Sequence, residues 1–310
     1  MNISVGKSFK ALVKREYWEH KGAIFYTPAI MAAIFAGLML LGTITGNNVS
    51  VNGHDSFDYM EYLPQAVEQF ENLDEQERSN GVQIGLNAPM VMFGFVMLII
   101  SLFYCLGALY DERKDRSILF WKSLPISDTT TVLSKFVAVC FLIPLFYFGV
   151  LAVFQLFLLL FATVVAWFGG SSGVTIWTSS NLFGVLFNGL FSLIITSLWL
   201  APLWGWLMLA SSWAKKVAFL WGTLPIFMIS VAEGMIFHSS SFIEMVGERI
   251  ADGFAILNSN MHYLVGADMF DIHVMRWYEV FSSMEFWAGL FVTAVFLAGA
   301  VFTRRHRDES

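Results

Sequence analysis

Of 310 residues, 57% are hydrophobic and only 14% charged, against roughly a quarter charged in a soluble domain. The apolar residues gather in runs of about 20, the length that crosses ~30 Å of hydrocarbon. This excludes one or two soluble domains and predicts an all-α, polytopic membrane protein. The net charge of −6 is segregated by loop, and Cys105 and Cys140 both lie in apolar runs, so neither a disulfide framework nor a Cys/His metal site is expected.

Residues 1–22 hold Lys7, Lys10, Lys14, Arg15 and Lys21, with Val5, Phe9, Leu12, Val13 and Tyr17 at helical spacing and Trp18 beside them. This reads as a basic amphipathic helix lying in the membrane interface on aromatic anchors. The plainer reading is a positive flank that only sets orientation. The first span is expected over 23–43. Its run is about 20 residues long and ends in Gly-Asn rather than a small-x-small cleavage site, so it is expected to be retained. Ala29, Ala33 and Gly37, spaced by four, offer another helix a close approach. Residues 44–87 carry eight acids and one base, Arg78, and form an outer loop with a short helix at about 57–78. The second span takes 88–110, with Pro89 in its first turn, where a missing amide proton costs little.

Asp111 to Lys135, DERKDRSILFWKSLPISDTTTVLSK, is a charged, Pro-broken island between two apolar runs. Residues 111–116 are all charged and mix acids with bases, and residues 118–121 are apolar. Pro125 disfavours a helical conformation at Leu124 and ends the preceding turn. Ser127 or Asp128 can then cap the next helix. The stretch reads as a short amphipathic helix outside the bilayer, clamped between two spans.

The third apolar run covers 136–168 and contains Pro144. GGSSG at 169–173 is a turn. The fourth run, 181–210, contains Pro202, and SSWAKK at 211–216 is a tight loop. The fifth run is 217–237. Residues 238–284 form a second large outer loop whose apolar part, 254–265, is a candidate to dip back into the membrane. The sixth run, 286–303, ends in Arg304-Arg305-His306-Arg307. Six spans put both termini on one side. Of the 18 basic residues, only Arg78, Arg249 and Arg276 fall in the proposed outer loops, a bias that predicts both termini in the cytoplasm.

There is no G-x-x-x-x-G-K-[ST] phosphate loop, so ATP-driven work would need a separate ATPase. Gly170-Ser171-Ser172-Gly173 fits the G-x-S-G pattern of rhomboid-type intramembrane proteases. Such a protease also needs a histidine on a neighbouring span to take the serine proton. Only His238 lies near a span, so turn chemistry accounts for the motif. Glu233 is the one carboxylate well inside an apolar run. A charge there is costly and is a gating or substrate candidate, or it is a wetted carboxylate at the span's end. Gly184, Asn188, Ser192 and Thr196 share one face of the fourth span, and Gln155 sits in the third. Such stripes pack helices or line a pathway, and Asn188 and Gln155 stand with Glu233 as pathway candidates.

The island resembles the permeases of ABC-type transporters of the type-2 exporter class, whose motif after the second span runs close to E-R-x-x-G-[ST]-L-x-x-L-L-x-x-P-[VI]-S, followed by a Lys. Glu112, Arg113, Ser117, Leu124, Pro125, Ile126, Ser127 and Lys135 match. Arg116 stands at the family's Gly and Leu119 at its usual acid. The resemblance implies the membrane subunit of an exporter in a bacterial inner membrane, dimeric with itself or a related permease, with no catalytic residue of its own. ATP and Mg would be bound by a separate cytoplasmic ATPase docked on Glu112, Arg113, Arg116, Phe120, Trp121, Lys122, Leu124 and Pro125. Phe120, Trp121 and Leu124 are the expected anchors. No nucleic-acid partner is expected. Rival readings are an ATP-linked complex for peptide resistance or sensing without solute export, and an ion-driven carrier, which should show several buried charges on its spans.

Overall fold

The computed structural model describes residues 5–45, 59–123, 126–265 and 277–306. Among them every regular element is a helix, and six helices are long and apolar enough to cross a membrane: Gly22–Thr45, Glu75–Lys114, Asp128–Phe168, Leu182–Trp199, Ala218–Phe237 and Met284–His306. The protein is an all-α, multi-pass membrane protein.

Helix α1 (Val5–Glu19) leads through a single π turn, Gly22–Tyr26, into α2 (Thr27–Thr45). In the segment expected outside, α3 (Tyr59–Asn72) forms, and α4 (Glu75–Ala108) follows within two residues. Asp74 explains the break. Its carboxylate accepts the Glu77 amide at 2.8 Å and caps α4, one of the free donors at a helix start. The second membrane helix therefore begins 13 residues before the expected 88, and Pro89 is carried inside it. Two short helices, α5 (Tyr110–Lys114) and α6 (Ser117–Ser123), form the island.

The third membrane helix is α7 (Asp128–Val137), a π turn (Ala138–Leu142) and α8 (Ile143–Phe168). A π turn leaves carbonyls without their usual partners. Ser197 Oγ donates to Val139 O at 2.9 Å, and Tyr147 Oη reaches Ala23 O in the other π turn at 3.4 Å. After the 169–173 turn, where Gly170 and Gly173 take φ of +87° and +69°, α9 (Val174–Ser179) leads to α10 (Leu182–Trp199).

The fourth apolar run, expected as one span over 181–210, is broken at Leu200. Helix α11 (Ala201–Trp213) continues it. Pro202 has no amide proton to continue the ladder, which weakens the helix at this point. In a membrane the freed carbonyls need partners. Trp204 Nε1 donates to Ser197 O at 3.0 Å, and Arg249 Nε donates to Trp199 O at 2.9 Å.

Helix α12 (Ala218–Phe237) is followed by α13 (Ser241–Val265), α14 (Trp277–Ser282) and α15 (Met284–His306). The apolar stretch of the second loop expected outside belongs to α13, which packs against α4 and α10. Ile256 and Leu257 are fully buried. A Cβ at Gly94 would meet Leu257 at 2.7 Å, so glycine there admits the helix. The core gathers Phe93, Met97, Tyr147, Leu193, Trp199 and Trp204 from α4, α8, α10 and α11. By contrast α2 and α12 present Ile30, Ile34, Leu38, Phe227 and Phe237 to the outside, the all-round apolar character of a helix in lipid.

Candidate functional site

The site is built from Glu112 outwards. Position 112 falls in α5, at the end of the second membrane helix, and is expected from sequence to face a docking partner. The structure turns it inward, 8% exposed. Its Oε1 lies 2.7 Å from Arg15 Nη2 and 3.1 Å from Lys135 Nζ, and its Oε2 accepts from Arg304 Nη1 at 2.6 Å. Lys135, 1% exposed, also donates to Glu16 at 3.0 and 3.2 Å. Glu16 is fully buried and accepts from Tyr104 Oη at 2.8 Å. Arg304, 5% exposed, donates through Nε to Asp128 Oδ1 at 2.9 Å. One cluster thus joins α1, α4, α5, α7 and α15, and each buried charge meets its opposite, as a low-dielectric setting requires.

Local sequence puts each group there. Glu16 is an acid on the apolar face of α1, a turn from Leu12. Ser127 caps α7, accepting the Thr130 amide at 3.1 Å, which leaves Asp128 for Arg304. Lys135 is on the inward face of α7, beside buried Val132 and Ser134. Arg304 ends α15 on its buried side.

Arg113 also faces inward. Its Nη2 donates to Ser211 O at 2.5 Å and Ala214 O at 2.9 Å. Leu109 N donates to Ser211 Oγ at 2.9 Å, and Tyr110 Oη donates to Lys216 O. The 211–216 loop is thereby fastened to the island. All four segments expected on the inner side, namely α1, the island, this loop and the end of α15, meet at one end of the bundle.

The island's outward face is different. Lys114, Asp115, Arg116 and Lys122 are exposed. Arg116 has φ of 57°, the left-handed region that costs a non-glycine residue about 1–2 kcal/mol. Trp121, expected as an anchor for a partner, is half-buried, with the Arg15 guanidinium 4.0 Å from its ring centre. It ties α6 to α1 within the chain. Leu124 and Pro125 lie outside the described residues, as does the side chain of Phe120.

The three pathway candidates serve different neighbours. Glu233 Oε1 accepts from Ser239 Oγ at 2.9 Å and Oε2 accepts the Phe242 amide at 2.9 Å. It closes the turn between α12 and α13. Gln155 is buried and donates to Leu86 O at 3.0 Å. Asn188 is half-buried on α10. On the same stripe Thr196 Oγ1 reaches Gly253 O at 3.4 Å, a packing contact.

Glu16, Glu19 and His20 bring possible metal-ligating atoms within 4.8 Å of one another. Glu16 already accepts from Lys135 and Tyr104 and lies 3.0 Å from Arg15, so its charge is met by the protein. Burial lowers the His20 pKa below 6.5, while the nearby Glu16 carboxylate favours the charged ring. The Arg15 pKa is raised: burial opposes its charge, but Glu16 and Glu112 outweigh it. The arrangement holds these helix ends together.

Sequence reasoning reached Glu112, Arg113, Lys135 and the capping role of Ser127. It did not single out Glu16, Tyr104 or Arg304. A signal for Glu16 existed in its place among Phe9, Leu12, Val13 and Tyr17. No family model, curated protein or solved structure matches the chain.

Proposed function

We propose that this chain is the membrane subunit of an ATP-driven exporter, moved by a separate cytoplasmic ATPase that docks on the exposed face of α5 and α6. The observation that carries this reading is the placement of Glu112. It secures the short helices between the second and third spans to α1, α7 and α15, so a push on Lys114, Arg116 or Lys122 would reach the third and sixth membrane helices and, through α1, the start of the first. Two further features support it. Arg116 occupies a left-handed conformation where the resembling motif carries Gly, the residue suited to it. Glu112 and Lys135, both in that motif, are in contact at 3.1 Å. Two copies, or this chain and a related one, would enclose the pathway, with ATP and Mg held by the ATPase.

The buried charges do not favour an ion-driven carrier, because each is paired within one cluster at one end of the bundle rather than along a path. The test is a photo-crosslinker at Lys122 in the native membrane. Capture of a nucleotide-binding polypeptide, together with ATP-dependent flux in vesicles, is expected. Capture without flux would favour the sensing complex, and flux driven by an ion gradient alone would overturn the reading.

A further inference from the structure

The sequence places α1 on the membrane by its apolar face. The structure gives that face to the protein. Leu12 and Glu16 are buried, Tyr17 stacks on Phe146 with ring centres 4.7 Å apart, and the helix packs along α7. What remains outside is a separate stripe. Lys7, Lys10, Lys14, Trp18 and Lys21 are all exposed. At about 100° per residue they fall within an arc of about 80°, opposite Glu16. No acid lies within that arc. Glu19 sits outside it, 3.2 Å from Arg15 Nε.

We infer that this stripe, centred on Lys14, Trp18 and Lys21, binds the phosphate headgroups of anionic phospholipids. Position along the chain supports this. Helix α1 ends at Glu19, and the first membrane helix begins at Gly22. Lys21 therefore adjoins the hydrocarbon boundary, and Lys14 is at most about 12 Å further along the axis, within a screening length or so of the surface. Chemistry supports it as well. Trp18, 58% exposed, has the amphipathic ring that settles at headgroup level. The Lys21 ammonium stands 6.0 Å from its ring centre, so an apolar platform and a cation are offered together. Lysine is a compact point charge suited to a mobile phosphate rather than to a fixed bidentate partner. An acidic protein is the competing occupant. It would have to reach Lys21 and Trp18 at the very start of the membrane helix, where lipid headgroups already stand.

The inference does not depend on a partner ATPase, and its test uses the full chain alone. The protein is reconstituted in phosphatidylcholine bilayers containing equal small fractions of photoreactive phosphatidylglycerol and photoreactive phosphatidylcholine, and adducts within residues 14–21 are counted by mass spectrometry. The parent should favour phosphatidylglycerol by at least tenfold, and the preference should fall with added salt. Lys14→Gln/Lys21→Gln should bring it close to parity, each lysine contributing up to about fivefold, while Lys14→Arg/Lys21→Arg keeps it. Equal adduct yields from both lipids in the parent would overturn the inference. So would a Gln pair that keeps the parent's preference, or a pair whose sole loss is a co-purifying acidic protein. Should the Gln pair not fold, the lipid preference and salt series of the parent decide alone.

Discussion

Glu112 accepts a hydrogen bond from Arg304 at 2.6 Å, across 192 residues of chain. The contact fastens the end of the sixth membrane helix to the end of the second. Arg15 and Lys135 lie against the same carboxylate, so removing it leaves three cations with less than their share of negative charge.

Glu112→Ala should destabilise the protein by about 3–5 kcal/mol, the cost of leaving buried charge uncompensated. Glu112→Gln should cost less, since its amide oxygen still accepts. Thermal denaturation in detergent reads both. In a double-mutant cycle, Arg304→Met should recover part of the Glu112→Ala loss, because the two groups are in contact. Strict additivity would mean that the pair carries no coupling.

Trp121→Ala removes the face on which Arg15 rests. The loss should be about 0.5–2 kcal/mol and should appear as faster amide exchange in α1. Lys122→Ala and Arg116→Ala should leave that exchange unchanged. They should instead slow association with the proposed ATPase in a salt-dependent way, as rim charges do. Trp121→Ala that weakens only ATPase binding, with α1 as protected as in the parent, would return Trp121 to the role of partner anchor.

Glu233→Ala should expose the first turn of α13 to exchange, with a loss of about 1 kcal/mol typical of a cap. Glu233→Gln retains an acceptor and should be milder, with transport close to the parent's. Loss of transport in Glu233→Gln without a change in α13 protection would point to gating rather than to the turn.

Gly94→Val should push α13 off α4, because the added carbons would enter the space of Leu257. Overpacking of this kind costs about 1–3 kcal/mol. A cysteine introduced at Ile256, fully buried beside an intact Leu257, should label slowly in the parent and faster in the Gly94→Val background. Equal rates would show that α13 accommodates the change by shifting along its own axis.

Acid should loosen α1. Burial lowers the His20 pKa in the folded state, with Glu16, Glu19 and Asp111 opposing that and Lys135 adding to it. The folded protein therefore binds this proton less readily than the unfolded chain. The stabilisation is complete above the unfolded value of about 6.5 and is lost as pH falls through the lower folded value. Relative to the intrinsic amide exchange rate, which itself slows in acid, protection of α1 should fall on going from pH 7.5 to pH 5, and His20→Gln should flatten the dependence. An unchanged pH response in His20→Gln would assign it to the carboxylates of the cluster.

The sequence by itself determined the class of molecule. Apolar runs long enough to cross a bilayer have few other stable outcomes, because every backbone polar group in lipid must be paired inside a helix. It also determined the island between the second and third spans, since Ser127 marks a helix start through local hydrogen bonding alone. The tertiary structure decided which way the polar groups turn. Glu112 and Arg113 read as surface residues because charge normally seeks water. Only the arrival of Arg15, Lys135 and Arg304 from three other helices makes burial cheaper than exposure, and no local pattern announces that convergence. The break at Leu200 was likewise open, since Pro202 permits a kink or a full stop. Which of the two occurs depends on Arg249 and Trp204 reaching the carbonyls that the break sets free.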